Sequence, residues 1–573
     1  MNPAQLLRHF DRVAETPDAV ARLRRFILDL AVRGKLVEQD PDDEPASELL
    51  ARIQAAKARL VKAGEIRKPK PSAPIQRDEL PIEVPVSWIW IRLCDFGTLS
   101  GGMTPSKNRS DYWDGDVVWL SPKDIKTDEV SDSELKITSR GLSETRLELF
   151  PTGSLFIVAR SGILKRTFPV AINRVPAASN QDLKVLVPYL KGNERYLQIM
   201  FRGLTGFILR DLVKTGTTVQ SLKYAEFEIQ PFPLPPLAEQ HRIVAKVDEL
   251  MALCNRLEAA QSKREQRRDR LVTASLNRIN QPAPSAEDEA ATAFREHARF
   301  HLDHLPRLTT RPEHIKSLRQ TILNLAVRGK LVEQDPSDEP ASEVLKRVAA
   351  AKANRNLKEK AKPGKQKSTT DGQHRTYQLP AGWVWGPLAD LTAVLNGRAY
   401  SKNELLDEGT PVLRVGNLFT SDHWYYSNLT LEDEKYCDAG DLLFAWSASF
   451  GPFLWSGPRV IYHYHVWKLS LHSESDLDKN YLYNFLAHKT QEIKDSGHGV
   501  SMIHMTKGKM EMVQVPVPPL AEQHRIVAKV DELMSVCDQL ETQLTTTQTD
   551  SRRLLEAVLY EALAPATAQE RAA

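Results

Sequence analysis

Seventeen residues of this chain, PPLAEQHRIVAKVDELM from Pro235 to Met251, recur letter for letter from Pro518 to Met534. A second run, LAVRGKLVEQDP from Leu30 to Pro41, recurs from Leu325 to Pro336. The chain is therefore two copies of one unit, and a repeat constrains architecture before any local propensity does. Two copies are too few for a solenoid. A duplicated unit with pseudo-two-fold symmetry suits a partner that itself comes in two halves.

Composition narrows the reading less. The apolar fraction of 41% and the charged fraction of 26% are those of ordinary folded protein. At 573 residues several domains are expected. No run of about 18 apolar residues is present, which argues against a helical membrane span. The start, MNPAQLLRHFDRV, has no apolar signal core and predicts a cytoplasmic protein. Cys94, Cys254, Cys437 and Cys537 are isolated, with no CxxC pair, so neither a disulfide framework nor a zinc site is supported. A net charge of +3 leaves any nucleic-acid role to be argued locally.

The order along the chain is helical, then β-rich, then helical, twice. Residues 1–60 read as helices: Leu23, Phe26, Ile27, Leu30 and Ala31 keep helical spacing, and Gly34 fits a stop. Residues 61–79, rich in lysine and proline, read as a linker. Short apolar runs at 87–91, 116–120, 154–159 and 184–187 predict strands of a mixed, β-rich domain over 80–234, with a helix near 195–204. Pro235 and Pro236 introduce a long helix over 235–280. In it Ile243, Val247, Leu250, Cys254 and Leu257 step by 4, 3, 4 and 3, the spacing of a coiled-coil seam. Residues 281–312 read as a second linker, 313–356 as the second helical repeat, 357–378 as a third linker, 379–517 as the second β-rich domain and 518–565 as the second long helix. The second seam is Ile526, Val530, Leu533, Cys537 and Leu540. The helical parts are nearly identical between copies, whereas the β-rich domains share a skeleton: Trp88 and Trp90 match Trp383 and Trp385, and Gly216 matches Gly499. Helices kept alike are expected to meet two copies of one partner, or each other. Diverged β-rich domains are expected to read two different targets.

No catalytic signature is present: no GxxxxGK[ST] phosphate loop, HExxH, GxSxG or dinucleotide fingerprint, and no Asn/Asp-Pro-Pro-aromatic run. His463 and His465 are expected on one strand face, but a metal needs a third ligand, and none stands nearby at ligand spacing. Cys254 and Cys537 fall on the seams as small core residues. The Glu and Gln of LAEQH read as first-turn residues favoured by the helix dipole. Nucleic-acid signals are local. No acid occurs between Glu148 and Asp182, where Arg160, Lys165, Arg166 and Arg174 stand. None occurs between Asp441 and Glu474, where His463 and His465 lie among aromatics, nor between Asp495 and Glu511, which holds His504 and Lys507. Basic groups suit phosphates and guanine edges. The second β-rich domain has 11 Lys and Arg against 16 Asp and Glu over 380–517. Any grip on DNA there must come from a local face or from a partner.

The repeated PLPPLAEQHRIV, preceded by GTTVQSL at 216–222 and GVSMIHM at 499–505, resembles the specificity subunit of Type I restriction–modification enzymes. The segments LAVRGKLVEQDP and DEPASE resemble its longer members. The resemblance covers nearly the whole chain. It implies an α+β fold in which two β-rich target recognition domains are separated by long helices that form an antiparallel coiled coil. Each domain would read one half of a split DNA site, the first domain the 5′ half. The seam residues Ile243, Val247, Leu250, Leu257, Ile526, Val530, Leu533 and Leu540 would pair the helices, which would dock two modification subunits. Those partners would bring S-adenosylmethionine, a restriction subunit would bring ATP and magnesium, and no cofactor or metal is expected on this chain, which would not be a catalyst. Carried over by position, loop 101–107 with Lys107, and Arg109 just beyond it, matches loop 396–402 with Arg398 and Lys402. Segment 121–125 with Lys123 matches 414–418 with Arg414 and Asn417, and Thr217, Thr218 and Gln220 belong to the first GTTVQSL. ARSG at 159–162 departs from its counterpart WSASFG at 446–451, which lacks the arginine. Two other classes are weighed beside this: a fused methyltransferase–specificity chain, disfavoured by the missing motif, and a coiled-coil adaptor with no DNA role, disfavoured by two large β-rich domains.

Overall fold

The computed structural model of the chain describes residues 18–67, 73–216, 219–281, 287–358, 377–447, 449–496 and 505–563. The chain forms two units: unit 1 takes Met1–Arg264 and Gln548–Ala573, and unit 2 takes Glu265–Thr547. Thr217, Thr218 and His504 lie outside the described residues, as do most of the 357–378 linker and part of the 61–79 linker.

In unit 1 the helical spacing of the first repeat gives α1 (Ala19–Val32), followed by α2 (Ala46–Lys62). Between them Gly34 sits at φ +65°, and a Cβ there would lie 2.4 Å from Pro85 Cγ. Glycine alone meets both demands. The β-rich domain runs through β1 (Ile89–Arg92), β2 (Gly97–Gly101), β3 (Trp113–Leu120), β4 (Leu155–Val158), β5 (Ala177–Ser179), β6 (Leu183–Pro188), α3 (Glu194–Gly203) and β7 (Pro231–Leu234), with shorter strands between. β6 pairs antiparallel with both β2 and β4. All four residues of β4 are fully buried, as a strand covered on both faces requires. β3 and β5 pair in parallel. β1 pairs with β7, so the domain closes on its own first strand. Pro231 and Pro233 are tolerated because this ladder has only two strands. Phe168, Phe201, Phe227 and Phe232 interlock with ring centroids 5.4 to 6.3 Å apart. Then α4 (Leu237–Asn280) begins directly after Pro236.

Unit 2 repeats this plan. After α5 (Glu287–Asp303) come α6 (Pro312–Val327) and α7 (Ala341–Lys358). The strands follow in the same order: β8 (Val384–Pro387), β9 (Thr392–Asn396), β10 (Thr410–Leu413), β11 (Leu442–Ala445), β12 (Val460–Tyr462) and β13 (Val466–Leu471). α8 (Lys479–Ser496), β14 (Gln514–Val517) and α9 (Leu520–Leu563) complete the unit's chain order. β13 pairs with β9 and β11, β10 with β12 in parallel, and β8 with β14. Gly329 repeats φ +65°, with its absent Cβ 2.4 Å from Pro380 Cγ.

Two expectations change here. The stretch 281–312 is not all linker: beyond residue 286 its composition turns to Ala, Glu, Arg and His, and it forms α5 and a short turn whose Leu305 and Leu308 are buried with Val272, Leu276 and Ile279 of α4. The seams are also not faced by the other long helix alone. Ile243, Val247 and Cys254 are buried in one cluster with Val20 and Ile27 of α1, and Leu250 and Leu257 pack against it half-exposed. Ile526, Val530 and Cys537 are buried with Leu318, Ile322 and Leu325 of α6 and with the last turns of α4, and Leu533 and Leu540 pack at the edge. The first seam is thus buried by the helical repeat of its own unit, and the second by its repeat together with the last turns of α4.

The identical letters have an internal cause. At the first turn of α4, Glu239 is 1% exposed and accepts hydrogen bonds from Trp88 Nε1 (2.9 Å) and Gln39 Nε2 (2.6 Å). Arg242 holds Asp43 with two hydrogen bonds, and Gln240 donates to the Pro235 carbonyl at 3.0 Å. Unit 2 repeats each: Trp383 and Gln334 donate to Glu522 at 2.9 and 2.6 Å, Arg525 holds Asp338, and Gln523 donates to Pro518. LAEQHR and VEQDP are two halves of one polar clamp that ties helix start, helical repeat and first strand together. A buried carboxylate must be fully bonded, so none of its donors can drift.

Burial pushes both carboxyls above their ordinary value of 4.5, the Trp and Gln donors pulling partly back. A carboxyl with a raised folded value contributes stability below its ordinary value and loses it as pH rises through the folded value. The stability lost on substituting Glu239→Gln with Glu522→Gln is therefore expected to be largest below the ordinary value of 4.5 and to shrink as pH rises above it. Asp43, held low by Arg242 and of opposite sense, is untouched by this comparison. Urea unfolding of both proteins across that range measures it, and a difference independent of pH would contradict the clamp's electrostatics.

Candidate nucleic-acid interface

In unit 1 four segments far apart in sequence meet where β3 and β5 end side by side. Leu120 and Ser179 are partners in the parallel ladder, and Asn180 N–H donates to the Leu120 carbonyl at 2.9 Å. Ala159 and Arg160 N–H groups both donate to the Asp182 carbonyl, at 2.8 and 3.1 Å. The loop after β2 crosses this corner at Gly102, whose absent Cβ would lie 1.7 Å from the Ser179 carbonyl oxygen. Trp119 Nε1 donates to Met103 O at 3.1 Å and Thr104 Oγ1 to Gln181 Oε1 at 2.6 Å. Ser121 donates twice to Asp124, fixing the turn that exposes Lys123.

Unit 2 builds the same corner. Leu413 and Tyr462 are ladder partners, and His463 N–H donates to Leu413 O at 2.9 Å. Trp446 N–H donates to the His465 carbonyl at 3.2 Å. Gly397 crosses with its absent Cβ 2.4 Å from His463 O. By these bonds Gly102 corresponds to Gly397, Leu120 to Leu413, Arg160 to Ser447, and the tripeptide Asn180–Asp182 to His463–His465. The frame is shared and its side chains are not. Here they are aromatic: the His463 and His465 rings are 4.8 Å apart, Trp446 meets His465 edge-on at 5.1 Å, and Tyr400 stacks on His463 at 6.3 Å. A cavity of about 380 Å3 opens between Arg414, Asn417, His423, Tyr425, Ser447, His463 and His465. Burial, His465 and the Arg414 charge push His463 down to about 4, so it is neutral near pH 7. The two histidines occupy a tight turn between β12 and β13 rather than a strand face, because the chain changes sheets there. Among the described residues no set of three metal-ligating side chains is present.

The sequence-predicted residues divide by their neighbours. Lys107, Lys123, Arg160, Lys165 and Arg166 are exposed, and no ion pair engages them among the described residues. Arg109 is not available in this way: it holds Asp111 with two hydrogen bonds at 2.8 Å, reaches Glu144 and stacks over Tyr112. Gln220 is 3% exposed and donates to Gly216 O, so it faces inward. In unit 2 Arg414 is exposed over the Tyr425 ring, 5.1 Å from its centroid. Arg398 is bonded to Glu404 at 2.6 Å, and Lys507 lies 3.6 Å from Glu511. Lys402 is exposed. Asn417 holds its own loop, accepting from Arg414 N–H and donating to His423 O. Sequence reading missed Gln181, Tyr464, Trp446 and Tyr400. The signal available was alignment of the two copies through Gly216 and Gly499, which leaves Asn180–Asp182 opposite His463–His465.

A family model described as the Type I restriction modification DNA specificity domain matches residues 85–265 and 380–547. The specificity subunit of the Type I restriction enzyme EcoAI from Escherichia coli is 30% identical, over 94% of this chain and 93% of its own. That of EcoEI, also from Escherichia coli, is 29% identical over 95% and 94%. A solved chain from a study titled "Structural basis underlying complex assembly and conformational transition of the type I R-M system" aligns with a TM-score of 0.50 at 18% identity. It covers 84% of this chain and 99% of that one, a likeness of fold.

Proposed function

The chain belongs to the Type I restriction–modification DNA specificity family, and on that premise we propose that each β-rich domain reads one half of a split duplex site while the repeated helices dock two copies of a modification subunit. The observation that carries this is the corner built twice. The bond that extends the parallel ladder, a bond from the neighbouring strand's end and a crossing glycine recur in both units, and the outward side chains differ. A frame kept while its surface diverges is what two readers of different sequences need. The unpaired cations of unit 1 supply phosphate contacts, which position the protein without reading bases.

Docking rests on the other half of the repeat. Burial accounts for Glu239, Gln240, Ile243 and Val247, but not for Ala238, His241, Ala245 and Glu249, which are exposed and identical to Ala521, His524, Ala528 and Glu532. Their spacing of 3, 4 and 4 puts them along one helix face. An exposed face kept alike in both copies fits two copies of one partner. The chain itself is not the catalyst in this reading: S-adenosylmethionine belongs to the modification subunits, and ATP and magnesium to a restriction subunit.

With labelled S-adenosylmethionine and duplex DNA the purified chain is expected to stay at background, and turnover by it alone would overturn the non-catalytic reading. In complex with its modification subunit, Lys123→Ala or Arg160→Ala is expected to weaken binding to all duplexes alike and to lower the slope of log affinity against log salt by about 1 each. Arg109→Ala, already neutralised by Asp111, is expected to leave that slope unchanged. Equal slopes for all three variants would remove the assigned phosphate face.

A further inference from the structure

The tip of each corner is a single side chain held between hydrogen-bonded neighbours. In unit 1 Asn180 is 6% exposed and its Oδ1 accepts from Asp182 N–H at 3.0 Å. Between them Gln181 points outward, exposed. Thr104 Oγ1 donates to Gln181 Oε1 at 2.6 Å, which orients the amide and leaves Nε2 as a donor with no protein partner among the described residues. The group presented to solvent is one acceptor with a spare lone pair beside a free NH2 donor group. In the major groove adenine offers N6–H as donor and N7 as acceptor, the complement of that pair. Guanine offers two acceptors there, so the amide oxygen would face O6 with no hydrogen between them. Lys123 and Arg160 rise from the segments bonded to either side of the tip, where phosphates would lie.

At the equivalent position of unit 2 stands Tyr464, 40% exposed. Its N–H donates to Arg398 O at 3.0 Å and its carbonyl accepts from Trp446 Nε1 at 2.9 Å. Its ring lies 4.0 Å from that of His465 and 4.4 Å from that of His463. It is as firmly held as Gln181 but cannot form the paired donor–acceptor contact.

We propose that Gln181 reads an adenine of the first half-site through its amide, and that Tyr464 is the reading side chain at the matching position of the second. This rests on the half-site reading above and names two of its specificity-determining residues. The test selects bound duplexes from a randomised pool with the full chain in complex with its modification subunit, and sequences them. Gln181→Ala is expected to cut the preference for adenine at one position of the first half-site by roughly tenfold or more, with the second half-site unchanged. Gln181→Glu, which can accept from cytosine N4–H, is expected to move that position toward cytosine. Tyr464→Ala is expected to relax one position of the second half-site alone, and retention of the untouched half-site in each variant shows that it is folded. An unchanged motif in Gln181→Ala, or relaxation at a base other than adenine or in the wrong half, overturns the assignment while leaving two half-sites standing. A wild-type complex that enriches no motif overturns the half-site reading and this assignment together.

Discussion

Trp88→Ala is expected to destabilise unit 1 by about 3–5 kcal/mol, and Trp383→Ala to do the same to unit 2. These indoles are 4% and 6% exposed, and each fills the space beneath the glycine turn, Gly34 or Gly329. Truncation leaves a cavity, and the cost of a large-to-small change grows with the volume that cannot collapse. It also leaves Glu239 or Glu522 buried with one donor fewer, and an under-bonded buried charge adds about 1–3 kcal/mol. Phenylalanine separates the two effects: Trp88→Phe keeps much of the volume, loses the Nε1 donor, and should retain only the smaller penalty. Urea unfolding of the full chain measures both. A loss within about 0.5 kcal/mol for Trp88→Ala, the range of an ordinary surface change, would show that the repeated letters are not kept by this clamp.

Lengthening both long helices by seven residues is expected to lengthen the preferred spacer between half-sites by about 3 base pairs. α4 changes unit between Arg264 and Glu265, and α9 between Thr547 and Gln548, so each long helix is a connection from one unit to the other. The stretch of α4 around that point is polar, and its buried apolar positions resume only at Val272. Seven helical residues add about 10 Å and turn the following face by only about 20°. Duplex DNA rises about 3.4 Å per base pair. The recognition domains are untouched, so the half-site sequences should stay as they were. Equal insertions after Arg264 and after Thr547 keep both attachments of each unit, including Ala19 against Leu555 and Arg22 with Glu556. Binding to duplexes with spacers of graded length reads the outcome, and an unchanged optimum would mean the helices are not the ruler.

Much of the architecture is visible in the letters because repetition and periodicity are local or exact properties. The two units, the long helices behind Pro235–Pro236 and Pro518–Pro519, and strands such as Leu155–Val158 follow from them. Long-range pairing is not local, and it is where reading and structure part. Glu239 looked like a first-turn acid favoured by the helix dipole. Its burial depends on Trp88, 151 residues earlier. The helical identity predicts a surface shared toward two copies of one partner, or between the helices, and Glu239, Gln240 and Arg242 belong instead to this clamp. Arg109 reads as a cation beside the loop, yet Asp111, two residues on, holds it with two hydrogen bonds, and Glu144, 35 residues away, joins them. The corner stayed hidden because it needs the parallel pairing of β3 with β5, which no single segment encodes. For the same reason the alternation of His463 and His465 reads as a strand where the chain forms the turn that joins two sheets.

The central claim is that one frame, built twice, reads two separate pieces of DNA. The most direct measurement is the motif enriched from randomised duplexes by the full chain in complex with its modification subunit. Two specified blocks divided by unspecified bases of constant number are predicted, the first block sensitive only to changes at the 102–182 corner and the second only to changes at the 397–465 corner. A single uninterrupted block, or one block altered by changes in both corners, would contradict it.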